Sequence, residues 1–273
     1  MAAQSRTELV FERRPRFAQA ITDSMIMIRR SSTHILRNTD QLLGTFFQPI
    51  MFLVLFSTVF GGAVGLALPP GVSYIEFLLA GIIIQTVAFG STTTAIAVAN
   101  DLQKGIVDRF RSLPMSNLAV LTGHVISDLL RNGLSTAVMI ATGLVMGFRS
   151  NASPLEWLAI IGIIALFTLA FSWLAAIMGV VAKSVEGVQW LSFVLVFPLT
   201  FASSAFVPTE GMNRFLKAFA ENQPITHIIE AIRALMLGQP IGNHGWWAVA
   251  WCLAILAVAV PLASWLFKRK STQ

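Results

Sequence analysis

The residues able to do chemistry in this chain are few and scattered. Asp128 and Arg131 stand three apart, as do Glu230 and Arg233, so each couple can form an ion pair on one helix face. His124 has no second metal-ligand residue beside it, which makes it a structural group rather than a ligand. Gln85 and Thr92-Thr93-Thr94 put amides and hydroxyls in the middle of an apolar stretch, facing either a path or a neighbouring helix. Phe52, Phe56 and Phe60 recur every four residues, and so do Phe193, Phe197 and Phe201. Such stripes suit stacking on a flat, apolar or amphipathic molecule, and equally suit core or lipid contact. Bond-making groups are missing. There is no Gly-x-x-x-x-Gly-Lys-Ser/Thr loop for a nucleotide phosphate, no His-Glu-x-x-His, no Gly-x-Ser-x-Gly and no Cys/His cluster. Cys252 is the single cysteine, so no intrachain disulfide forms. Without a carboxylate pair, nucleophile or metal constellation, an enzyme is not indicated.

The elements that position these residues are six apolar runs: Pro49–Leu68, Phe77–Ala99, Gly133–Phe148, Trp157–Ala182, Gln189–Val207 and Trp246–Phe267. None contains Asp, Glu, Lys or Arg. A membrane-crossing helix needs roughly 20 such residues. The 273-residue chain is 55% hydrophobic and 12% charged, against about 25% charged in ordinary soluble domains. The pattern predicts an all-α membrane protein of six transmembrane helices, forming one domain over residues 1–273. The absence of an ionisable side chain in mid-run argues against a proton antiporter and leaves sodium coupling open. The net charge of +6 fits anionic lipid headgroups better than nucleic acid.

Between the runs lie amphipathic segments. Residues 1–41 are Arg-rich and hold no continuous apolar stretch, so the first run is expected to direct insertion. Phe17, Ile21, Met25 and Ile28 recur there at helical spacing. This predicts an N-terminal amphipathic interfacial helix, lying in the headgroup plane or against the protein's own cytoplasmic face. In 101–116, Leu102, Ile106, Phe110 and Leu113 mark a short amphipathic helix that Pro114 stops. The third helix is expected to start in the cytoplasm and to carry Asp128 and Arg131 into the inner headgroup layer. Pro198 bends the fifth. Residues 208–243 are too polar to cross, and Pro224 divides them into a re-entrant or interfacial helical hairpin before the last span. The Arg-rich start, the 100–122 loop and Lys268-Arg269-Lys270 fall on one side of six spans, which puts both termini in the cytoplasm.

Three segments carry a family resemblance: Asp101-Leu102-Gln103-Lys104-Gly105-Ile106-Val107-Asp108-Arg109-Phe110-Arg111-Ser112-Leu113-Pro114-Met115-Ser116; Gly147-Phe148-Arg149; and Phe206-Val207-Pro208 through Asn222-Gln223-Pro224-Ile225-Thr226. In their order and spacing the chain resembles the membrane subunits of ABC-2 type exporters, in particular the daunorubicin/doxorubicin resistance-type permeases. The family often shows Glu where this chain has Asp101 and Asp108, a change that keeps the charge.

The resemblance implies two permease copies, identical or different, in a bacterial plasma membrane. Separate cytoplasmic ATPase subunits bind the ATP and Mg, and this chain binds no cofactor itself. It implies that the 101–116 helix couples to the ATPase through Asp101, Lys104, Gly105, Asp108, Arg109, Phe110, Arg111 and Pro114. The pathway would follow spans one, two and five, past Phe52, Phe56, Phe60, Gln85, Phe193, Phe197 and Phe201. The 208–243 hairpin would be an extracellular gate, with Phe215, Phe219, Asn222, Gln223 and Pro224. Hydrophobic drugs or lipids are the expected cargo. The alternatives are a lipid-linked polysaccharide, which the single Tyr of this chain disfavours, and an ion-coupled carrier needing no ATPase.

Overall fold

The computed structural model describes residues 39–69, 71–104, 117–182 and 184–270. Within them the chain is helical, with no strand. In order these helices are α1 (Thr39–Gly65), α2 (Tyr74–Gly90), α3 (Thr92–Gln103), α4 (Asn117–Val145), α5 (Pro154–Val181), α6 (Val185–Phe201), α7 (Arg214–Asn222), α8 (Pro224–Leu237) and α9 (His244–Lys270). A single 3-10 turn, Thr209–Gly211, precedes α7. The expected N-terminal interfacial helix lies outside the described residues, as do Gly105, Asp108, Arg109, Phe110, Arg111 and Pro114.

Four stretches are long and apolar enough to cross a membrane: Phe46–Gly65, Tyr74–Gln103, Pro154–Val181 and His244–Lys270. The third and fifth apolar runs depart from that standard for different reasons. The third belongs to the 29-residue α4, which carries His124, Asp128, Arg131 and Asn132 ahead of that run. The fifth forms α6, which has only 17 residues because the chain turns after Phe201, just beyond Pro198. The second run is jointed rather than straight. At Gly90-Ser91 the Ser91 hydroxyl donates back to the Val87 carbonyl (3.0 Å) and Thr93 to the Gly90 carbonyl (2.9 Å), bonds that compete with the helical ladder and bend it.

Burial separates inner from outer helices. In α2–α3 and α5 the most apolar windows are 67% and 56% buried, against 11% in α1 and 17% in α9. The inner helices therefore form the core, and α1 and α9 turn most of their apolar surface outward. The main core joins Leu78, Ile82 and Ile83 of α2, Phe167 of α5, and Ile228 and Ile232 of α8. Close approach depends on small residues. A Cβ on Gly179 of α5 would stand 2.3 Å from the Ala95 carbonyl oxygen of α3, and one on Gly81 of α2 would stand 2.2 Å from the Ala205 carbonyl oxygen.

Polar ties hold the two ends of the bundle. At one end Ser153 caps α5 by accepting from the Glu156 amide (3.3 Å), while Glu156 accepts from the Ser153 amide (2.6 Å). There too the Asn151 amide and Ser150 hydroxyl donate to the Met236 carbonyl of α8 (3.1 and 2.9 Å). The Tyr74 hydroxyl donates to the Phe206 carbonyl (3.0 Å). At the other end Lys270 donates to the Val180 carbonyl and to the Ala182 carbonyl (3.1 Å), placing a cation on the C-terminal carbonyls of α5.

Candidate functional site

A cavity of about 630 Å³ opens between α1, α2, α4 and α6, within the size range of small-molecule sites. Helix α1 contributes Gln48 and Phe52, α2 contributes Gln85, Thr86 and Phe89, and α6 contributes Phe193, Phe197 and Phe201. Thr93, Arg131 and Asn132 complete its polar side. Five residues expected along a pathway thus meet in one space: Phe52, Gln85, Phe193, Phe197 and Phe201. Phe56 and Phe60 do not line it. They continue the α1 stripe toward the end of the bundle that holds Tyr74 and Phe206.

The two phenylalanine stripes are joined. Phe193 stacks on Phe197 (centroids 4.9 Å apart), Phe197 on Phe201 (4.2 Å) and Phe201 on Phe206 (4.8 Å). Phe206 in turn stacks on Phe56 (4.8 Å), which meets Phe52 at 5.9 Å and Phe60 at 5.3 Å. The spacing of the stripes did not reveal Phe206 as their bridge, because it lies past the end of α6 in the 202–208 turn. Phe193 and Phe197 remain 48% and 38% exposed, so the α6 stripe has an outward face as well as a cavity face.

Asp128 and Arg131 form the expected pair, enclosed among the helices. Both are buried, at 1% and 6% exposure. Asp128 also accepts from the Ser172 hydroxyl of α5, and Arg131 donates to the Gly90 carbonyl (2.6 Å) at the α2–α3 joint. A charged pair tolerates this burial because each member faces its counter-charge and gains a further hydrogen bond, although Arg131 Nε is buried with no partner among the described residues. The network links α4 to α5 and to the joint that borders the cavity.

The hairpin residues fall in different surroundings. Phe215 is 86% exposed and Phe219 44% exposed on α7, and Asn222 is exposed too. Gln223 is buried and donates to the Ala202 carbonyl, and Pro224 opens α8. Helix α8 itself belongs to the core. Its Arg233, 5% exposed, donates to the Phe77 carbonyl (3.0 Å) and the Ser204 carbonyl (2.7 Å), pairs with Glu230 and lies 3.6 Å over the Phe77 ring. His227 of α8 meets His244 of α9, Nδ1 to Nδ1, at 3.1 Å. Partial burial and the neighbouring His244 push the His227 pKa down.

Of the coupling set, Asp101 and Lys104 are described. Asp101 on α3 accepts from His124 Nε2 of α4, at 2.9 Å, so that histidine clamps the two helices flanking 105–116. Lys104 is exposed at the end of α3. Among the described residues no group of three or more His, Cys, Asp or Glu is placed to hold a metal.

Residues 22–237 match the family described as ABC-2 type transporter. The chain is 31% identical to the daunorubicin resistance ABC transporter permease protein DrrB1 of Streptomyces coeruleorubidus, over 99% of this chain and 95% of that protein. It is 26% identical to the probable doxorubicin resistance ABC transporter permease protein DrrC of Mycobacterium tuberculosis, over 92% and 90%. Similarity extends at 28% identity to nodulation protein J of Rhizobium meliloti, over 75% and 77%. With its apolar helices and this near full-length likeness, the chain belongs to the ABC-2 type transporter family, as a multi-pass membrane permease subunit of an ABC exporter.

Proposed function

We propose that the chain moves hydrophobic or amphipathic compounds, drugs or lipids, out across a bacterial plasma membrane, and that the cavity between α1, α2, α4 and α6 receives the cargo. The observation that carries this reading is the continuous phenylalanine chain running from the cavity wall to Phe206 and Phe60, near the opposite end of the bundle from Lys104 and Lys270. An unbroken aromatic surface offers a flat apolar molecule similar contact at every step, without a deep trap along the way. Helices α1, α2–α3, α4, α5, α6 and α9 make six crossings in this reading. The ends tied by Lys270 lie in the cytoplasm together with 101–116, and the α7–α8 hairpin closes the outer end through Phe215, Phe219, Asn222, Gln223 and Pro224.

Energy comes from cytoplasmic ATPase subunits docked on the 101–116 segment. A second permease copy, identical or different, completes the path. The Asp101–His124 pair makes α3 and α4 move together when that segment is pushed, and Arg131 passes the motion to the cavity through the Gly90 carbonyl. Coexpression with the cognate ATPase tests the proposal. Efflux of a lipophilic fluorescent dye should persist under an ionophore and stop when ATP hydrolysis is blocked. Dye accumulation by the purified chain alone, driven by a salt or pH difference, would overturn it.

A further inference from the structure

Gln85 holds an unusual position in the cavity. It is 5% exposed, and among the described residues nothing hydrogen-bonds its amide. Neither amide atom is sealed within protein, so the little surface it keeps opens onto the cavity it lines. The hydroxyls beside it are already committed as donors. Thr86 donates to the Ile82 carbonyl (2.7 Å) and Thr93 to the Gly90 carbonyl (2.9 Å), which leaves them only as acceptors. Gln85 thus presents both a donor and an acceptor to whatever enters, and such a buried amide gains by finding a partner that offers both in return.

The charge at this pole is already neutralised. Arg131 is the charged residue on the lining; its Nη2 donates to both Asp128, its counterion, and the Gly90 carbonyl, and its Nε is enclosed in protein. A cargo bringing a net charge would find no free counterion there and would be buried unpaired, far worse than burying a neutral polar group. We propose that Gln85 is the specificity-determining residue of the cavity: it hydrogen-bonds a neutral donor–acceptor group, such as a carboxamide, on an aromatic cargo, and the site discriminates against a charge at that position. The proposal rests on the cavity being the cargo site.

The test uses the purified full chain and four matched probes: anthracene, and anthracene bearing a carboxamide, a carboxylate or a trimethylammonium group. Binding is read from energy transfer between protein tryptophan and probe. Phenylalanine faces attract cations, so the ammonium probe is the demanding comparison. The carboxamide should bind on the order of tenfold more tightly than either charged probe. Gln85→Met, which keeps length and removes the amide, should bring the carboxamide down to the level of plain anthracene and leave anthracene unchanged. Gln85→Glu should turn the preference toward the ammonium probe.

Equal binding of carboxamide and charged probes by the parent chain would overturn the proposal, as would a Gln85→Met loss shared by plain anthracene. If the parent binds no probe while the ATPase complex still exports dye, the cavity assignment fails and the export reading stands. If ATP-driven export is absent as well, both fall.

Discussion

Replacing Asp128 by Leu would strand the Arg131 guanidinium inside the bundle. Asp128 is 1% exposed, accepts from Arg131 and Ser172, and precedes by one turn on α4 the Arg131 that holds the α2–α3 joint at the Gly90 carbonyl (2.6 Å). Deleting one member of a buried ion pair costs about 3–5 kcal/mol, because the remaining charge keeps its desolvation penalty and loses its counterion. At roughly 2–4 °C per kcal/mol for a chain of this size, the melting temperature should fall by about 6–20 °C. Replacing both members, Asp128→Leu with Arg131→Met, removes the stranded charge. Gly90 would keep its bond from Thr93 (2.9 Å). The double variant should therefore be more stable than the single Asp128→Leu chain, by about 2 kcal/mol or more. Intrinsic fluorescence of the 7 tryptophans in detergent follows the melt. A single variant within 2 °C of the parent (about 1 kcal/mol or less), or a double variant whose losses simply add, would refute the pairing argument.

Gly179→Leu should abolish stable accumulation in the membrane, since its Cβ would lie 2.3 Å from the Ala95 carbonyl; a monodisperse gel-filtration peak at parental yield would contradict that contact. Acidification should destabilise the α8–α9 contact. His227 has a lowered folded pKa, so the unfolded chain takes up the proton first near its ordinary value of about 6.5, and stability present above that pH is lost as pH falls below it. The drop in melting temperature between pH 7.5 and pH 5.5 should shrink in His244→Gln, which removes the neighbouring imidazole, and an unchanged drop would exclude the pair as its source. Phe110→Asp should weaken pull-down of the ATPase while membrane insertion is retained, and undiminished pull-down would remove the coupling role of 101–116.

How far the sequence could be read differed from element to element. Apolar runs free of charge made the helical, membrane-embedded character plain, since a bilayer imposes that pattern on any chain crossing it. Local spacing also foretold the Asp128–Arg131 and Glu230–Arg233 pairs, because i,i+3 neighbours on one helix meet whatever the tertiary fold does. The two phenylalanine stripes were legible for the same reason.

Contacts between helices were not legible. That Phe206 joins the stripes, that Gln85 faces a cavity without a partner, that Asp128 is enclosed by Ser172, and that Arg233 locks α8 onto Phe77 all depend on segments brought together from far along the chain, up to 156 positions apart for Arg233 and Phe77. Periodicity assigns a residue to a helix face and leaves open which neighbour that face meets. The approach of Gly179 to Ala95 of α3, and of Gly81 to Ala205 in the turn after α6, settles that question here, by bringing backbones so close that the polar side chains nearby can reach across.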